Sequence, residues 1–243
     1  MSDILVFITA TINCGSTPHV RRQDPNDRRL DYLIAFRHWM NQRCDADFLF
    51  CENSAADLSE FIEVAETYGQ GKSVQFVRFS GNQGAQKYGK GYGEIEMLRY
   101  VFATIPETLA YRYIIKVTGR YQVDNGGQIV TLISQQHADL VCDVHANLTW
   151  GDTGVVAFTP LTALNHLIPY QQQLDETGGV IIEHLMAQCL HRTLLAKGTW
   201  VPLPCSPLCR GFSGSWNTAK NASIIYRVKQ DIKRRIARWI YLY

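Results

Sequence analysis

Short apolar runs rich in β-branched residues alternate with longer stretches of helical period along most of this 243-residue chain. That alternation calls for strands joined by crossover helices, and hence for an α/β fold on a largely parallel sheet. Asp3-Ile-Leu-Val-Phe-Ile-Thr-Ala reads as a first strand buried on both faces. Further strands are expected over residues 48–51, 74–79, 113–117, 139–142 and 154–158, and helices over about 30–42, 55–68, 94–104, 128–136 and 180–191. With 46% apolar and 19% charged residues the chain can bury a sizeable core, which excludes a disordered or low-complexity protein. Residues 1–220 read as one domain, and residues 221–243 as an appended helix.

No stretch approaches the roughly 18 consecutive apolar residues of a membrane span. Met1-Ser2-Asp3 lacks the basic flank of a secretory signal, so the cytoplasm is the expected compartment. Seven scattered cysteines form an odd set without small-domain disulfide spacing, and reduced, mostly buried thiols are expected. Cys205 and Cys209 have no second Cys/His pair to complete a zinc site. The net charge of +2 divides into +6 over residues 220–243 and −4 over the remainder. An acidic body without a nucleic-acid-binding signature excludes a nucleic-acid face spread over the domain.

In open α/β sheets ligands bind beyond the carboxyl ends of the strands, which directs attention to particular loops. The polar segment 13–29 follows the first strand. There Thr9, Thr11, Arg22, Asp24 and Arg28 offer hydroxyls and charges to a polar ligand, the alternative being a solvated surface loop. The segment from Gly81 to Gly93 reads as a glycine-rich loop before a helix whose free N–H groups could face an anion, with Lys87 and Lys90 adding charge. Its glycine spacing is neither that of a P-loop nor that of a dinucleotide fingerprint. Lys116-Val-Thr-Gly-Arg-Tyr places two cations, Lys116 and Arg120, at the crevice, where a pyrophosphate would suit them; otherwise Lys116 snorkels and Arg120 pairs with a surface carboxylate.

The order of three motifs carries a resemblance. Gly89-Lys-Gly-Tyr-Gly-Glu before a helix, a strand ending Lys116-Val-Thr-Gly-Arg-Tyr, and Glu183-His184 in a later helix resemble bacterial glycosyltransferases of the glycosyltransferase-A fold that build lipopolysaccharide O-antigen and capsule sugars. The resemblance extends to Arg22-x-Asp24 with Arg28 and to Gly211-Phe-Ser-Gly-Ser. It implies a Rossmann-like domain that transfers a sugar from a nucleotide-sugar donor to a glycan or lipid-linked acceptor. The donor contacts it implies are Thr9, Thr11, Arg22, Asp24, Arg28, Lys90, Gly91, Glu94, Lys116, Thr118, Gly119 and Arg120. Most enzymes of that fold end the equivalent strand in Asp-x-Asp, which holds a divalent metal. Here Thr118-Gly-Arg-Tyr replaces it, so Arg120 is expected to neutralise the diphosphate and no metal cofactor is favoured. Asp143 and His145, two apart on a strand, form an alternative metal pair, against the simpler reading of two surface side chains.

An inverting transfer needs a base for the acceptor hydroxyl. Glu183, at an otherwise apolar helix start, is the first candidate, and Asp152 in Trp150-Gly-Asp-Thr-Gly the second; their simpler roles are a helix-terminus charge and a turn. In the tail Ile225, Val228, Ile232, Ile236, Trp239 and Tyr243 form one apolar stripe flanked by Arg227, Lys229, Lys233, Arg234, Arg235 and Arg238. Such a basic amphipathic helix suits an anionic membrane surface, or it packs on the domain with a solvated basic face. The competing functional classes are a non-catalytic nucleotide- or glycan-binding module and another transferase on a similar sheet.

Overall fold

Every residue of the first strand, β1 (Ile4–Ala10), is buried, as a strand covered on both faces requires. Ile4, Val6, Ile8 and Ala10 point into one apolar layer while Leu5 and Phe7 point into the other, so β1 lies between two cores. The computed structural model describes residues 2–212 and 219–220 and the single positions 228, 232 and 236.

Along the chain follow α1 (Pro25–Met40), β2 (Asp47–Glu52), α2 (Ser59–Tyr68), β3 (Val74–Arg78), α3 (Gln83–Tyr88) and α4 (Lys90–Thr104). Next come β4 (Tyr113–Thr118), β5 (Gln122–Val123), α5 (Gly126–Ser134), β6 (Leu140–Val141), β7 (Val144–His145), β8 (Trp150–Gly151) and β9 (Val155–Phe158). The described chain closes with α6 (Pro160–Thr162), α7 (Ile182–Leu195), β10 (Trp200–Val201), β11 (Cys209–Phe212) and β12 (Ala219–Lys220). The seven-stranded sheet has the order β10-β6-β9-β4-β1-β2-β3. Its β1–β2, β2–β3, β1–β4 and β6–β10 pairs are parallel, and β9 alone runs against its neighbours β4 and β6. The expected mostly parallel α/β sheet is therefore what forms. β2 and β4 flank β1 on opposite sides, which makes the β1–β4 boundary the switch point where the chain reverses its direction of winding and leaves a crevice.

Among the departures from the sequence expectation, two have a clear local reason. Helix α1 starts five residues before Leu30, because Asp24 caps it by accepting from the N–H groups of Asn26 (2.7 Å) and Asp27 (3.2 Å), with Pro25 at its first position. The segment from Gly81 to Gly93 is not a loop but two helices meeting at Gly89, whose φ of +104° suits glycine and whose missing Cβ leaves room for the side chain of Glu176. Four of the seven cysteines, Cys14, Cys51, Cys142 and Cys189, are buried. Among the described residues no helix is long and apolar enough to cross a membrane. The expected tail helix falls outside the described residues except at Val228, Ile232 and Ile236, which are helical and each 52% exposed.

Candidate active site

The crevice at the carboxyl end of β1 and β4 has two halves. On the α1 side, the loop after β1 is folded inward by Arg28, whose Nε donates to the carbonyls of Thr11 (2.8 Å) and Ile12 (3.2 Å) and whose Nη1 donates to that of Arg22 (3.1 Å). Arg22 grips Asp31 through two hydrogen bonds and approaches Asp27 at 3.3 Å. Tyr32 of α1 receives the Thr11 N–H on its hydroxyl at 3.0 Å. The Thr11 hydroxyl donates to Asn53 (2.6 Å), and the Thr9 hydroxyl donates to the carbonyl of Val117 (3.3 Å). Glu52, wholly buried at the end of β2, accepts from the N–H groups of Ile12, Ser54 and Ala56 and so sets the mouth of this half.

Arg120 stands apart from this framework. Thr118 ends β4, the Gly119 N–H donates to the Thr9 carbonyl at 3.0 Å, and the chain then turns Arg120 beneath β11. Gly211 of β11 crosses so close that a Cβ there would stand 2.5 Å from the Arg120 carbonyl oxygen, and its φ is +124°. Arg120 is only 8% exposed, yet its Nε and Nη1 have no hydrogen-bond partner among the described residues. The guanidinium lies 5.9 Å from the centre of the Tyr32 ring. A buried cation with two unmet donors suits an anionic ligand.

The other half is built by α4, β4, the segment before β9, and α7. Lys116 does not snorkel: its ammonium pairs with Glu94 and donates to the Thr153 carbonyl (2.8 Å) and the Thr118 hydroxyl (3.3 Å). Lys90 pairs with Glu176 at 3.3 Å, and Glu176 also accepts from the Gly91 N–H at 2.9 Å, so a protein carboxylate already fills the amino end of α4. Glu183, in the first turn of α7, accepts a hydrogen bond from the Thr153 hydroxyl at 3.4 Å. Burial pushes the Glu183 carboxyl above the usual range, Glu94 adds to that rise, and Lys90 and Lys116 oppose it.

Asp152 sits outside this cluster, half-exposed and 3.1 Å from the ring of His145. Asp143 is buried and accepts from the Leu203 N–H at 3.1 Å, whereas His145 is exposed, so the two do not converge as the alternative metal pair. Among the described residues no group of three or more His, Cys, Asp or Glu is placed to hold a metal ion. Of the twelve expected donor contacts, the side chains of Thr9, Thr11, Arg22, Asp24, Arg28, Lys90, Glu94, Lys116 and Thr118 have partners within the protein, and Arg120 has unmet donors among the described residues. Sequence reasoning missed Thr153, Glu176, Glu52 and Asn53; each acts through a partner far away in the chain, and no local pattern marks it.

No family profile matches the chain, and no curated protein is similar to it. Solved structures do resemble it. A nucleoside-diphosphate-sugar pyrophosphorylase of Vibrio cholerae RC9 is 14% identical, with 82% of this chain matched to 90% of that one at a TM-score of 0.50. A glycosyltransferase of Streptococcus pneumoniae TIGR4 is 12% identical over 82% of this chain and 45% of its own (TM-score 0.48). A mannosyltransferase of Pyrobaculum calidifontis, solved with GDP-Man and Mn2+, is 12% identical over 98% of this chain and 64% of its own (TM-score 0.46). This chain thus spans less than two thirds of the last two. The mixed α/β fold with its mostly parallel strands is shared with the Vibrio cholerae structure.

Proposed function

We propose that this protein is a glycosyltransferase that moves a sugar from a nucleotide-sugar donor to a glycan or lipid-linked acceptor in bacterial surface polysaccharide synthesis, of the O-antigen or capsule kind. Arg120 carries the reading: a buried guanidinium at the switch point, with donors unmet among the described residues, suits the diphosphate of such a donor. Its position, where related folds place metal-binding carboxylates, offers a cation instead. The set Thr118-Gly119-Arg120 does not fit a divalent metal, and Arg120 supplies the charge that stabilises the departing nucleoside diphosphate. Glu183 takes the proton of the acceptor hydroxyl as that oxygen bonds to the anomeric carbon and the nucleoside diphosphate leaves with the electrons of the broken bond. A carboxyl raised by burial is the stronger base for this step.

The tail supports attachment to the cytoplasmic face of an anionic membrane, where a lipid-linked acceptor would lie. Val228, Ile232 and Ile236 leave apolar surface exposed at helical spacing, and six Lys or Arg lie between residues 227 and 238. Sedimentation with vesicles containing phosphatidylglycerol, but not with pure phosphatidylcholine vesicles, is the expected result.

Thermal shift against nucleoside diphosphates and nucleotide sugars, in EDTA and with Mn2+ or Mg2+, tests the donor site. One nucleotide class should stabilise the protein without metal, by about 2.7 kcal/mol at one hundred times its Kd. Arg120→Met should abolish that shift, and Glu183→Gln should keep it while losing turnover. Stabilisation only with metal overturns the Arg120 assignment, and silence across the panel overturns the donor site. Release of pyrophosphate from a nucleoside triphosphate and a sugar 1-phosphate, rather than of nucleoside diphosphate from a nucleotide sugar, would instead mark a pyrophosphorylase, as the Vibrio cholerae structure is named.

A further inference from the structure

The hairpin of β7 and β8 is left over by this account, and its outer face has a distinct chemistry. Trp150 and His145 are cross-strand partners and both exposed. Strand alternation places Asp152 on the same face as Trp150, while Gly151 packs toward Met186 of α7 and Thr153 turns inward to Glu183. Asp152 and His145 hold each other at 3.1 Å. The Trp150 ring meets His184 edge-on, with centroids 5.6 Å apart and planes at 88°, and His184 directly follows Glu183 in α7. A half-exposed indole is thus framed by two imidazoles and a carboxylate, next to the carboxylate assigned as base.

We propose that this face, with Trp150 as platform and His145, Asp152 and His184 as polar frame, is the subsite for the acceptor sugar. The inference rests on the proposed glycosyl transfer and adds the acceptor side to it. A pyranose ring has one face of C–H groups and a rim of hydroxyls; the former packs on an indole, and the latter hydrogen-bonds to imidazole and carboxylate. Asp152 then binds a hydroxyl of the acceptor and removes no proton. The contact of the Trp150 ring with His184, the residue after Glu183 in α7, brings the platform close to the base, which itself faces Thr153 on the inner side of the strand.

Saturation-transfer NMR on the full chain with a panel of methyl glycosides tests the platform. At least one glycoside should bind through the C–H protons of one ring face. Trp150→Ala should weaken it about tenfold, and Trp150→Phe should restore most of the loss. Wherever a glycoside serves as acceptor, Trp150→Ala should raise its KM about tenfold while the donor KM stays unchanged. Failure of every glycoside to bind, or equal binding by the Trp150→Ala variant, overturns the proposal. Glu183→Gln should leave glycoside binding intact, so loss of turnover in that variant tests the base separately from the platform. The outer face carries no core side chain, and a matching melting temperature of the Trp150→Ala variant certifies its fold.

Discussion

Lys116 of β4 and Glu94 of α4 form an ion pair within the protein, their side chains 4% and 15% exposed. The pair joins sheet to helix beside Glu183 and holds the Lys116 ammonium within the protein. Removing one partner strands the other charge in a low-dielectric site. Lys116→Met should therefore lower the free energy of unfolding by about 3–5 kcal/mol in urea titration, and Lys116→Met with Glu94→Leu should recover most of it. A double-variant loss equal to the sum of the losses in Lys116→Met and Glu94→Leu alone would show that the pair is not coupled.

Glu52 gives a second stability test. Its carboxylate accepts three backbone N–H groups, from Ile12, Ser54 and Ala56, and the hydroxyl of Ser54. Glu52→Ala leaves those donors buried and unmet, and a loss of about 3–5 kcal/mol is expected at hydrogen-bond values for charged acceptors. Glu52→Gln keeps one acceptor oxygen and should fall between. Because these bonds shape both loops at the crevice, the alanine variant should also lose any nucleotide-induced thermal shift.

Six of the seven strands of the central sheet, the helix order and the crevice were legible because burial on both faces imposes continuous apolar runs, as in Ile4 to Ile8, and helical period marks the crossovers; the two-residue β10 is too short to leave such a run. The reversed direction of β9 was not, since an apolar run such as Val155 to Phe158 carries no sign of strand polarity. Gly81 to Gly93 looked like a loop because glycine content dominates propensity, whereas Ala85, Tyr92 and Ile95 bury against the core and hold two helices there. In the candidate site, Lys116 and Arg120 looked alike in sequence. Only tertiary contact separates a lysine already paired from an arginine whose donors are unmet among the described residues.

Arg120 predicts a conflict between stability and binding. Unmet buried donors cost about 1–3 kcal/mol each site, so Arg120→Met should raise the melting temperature of the unliganded protein while removing its response to nucleoside diphosphates. Arg120→Lys keeps the charge but loses the paired N–H geometry and should retain only a fraction of the response. A lower melting temperature in Arg120→Met would mean that the guanidinium already serves the unliganded fold.

Glu183 sets the pH dependence. Its folded-state value is raised above 4.5, chiefly by burial, so the native protein holds this proton at pH values where the unfolded chain has released it. Stability from this group is therefore complete below the unfolded value and is lost as pH rises through the folded one. Glu183→Gln should be more stable than the parent at pH 8, with the difference closing toward pH 4. Transfer should rise with pH along a limb whose midpoint lies above that of an ordinary glutamate, because the base must be ionised. Thr153→Val removes a hydrogen bond donated to the ionised form and should move that midpoint higher still, with Thr153→Ser restoring it. An acid limb at the same pH in parent and Thr153→Val enzymes would show that the group being titrated is not the carboxylate held by Thr153.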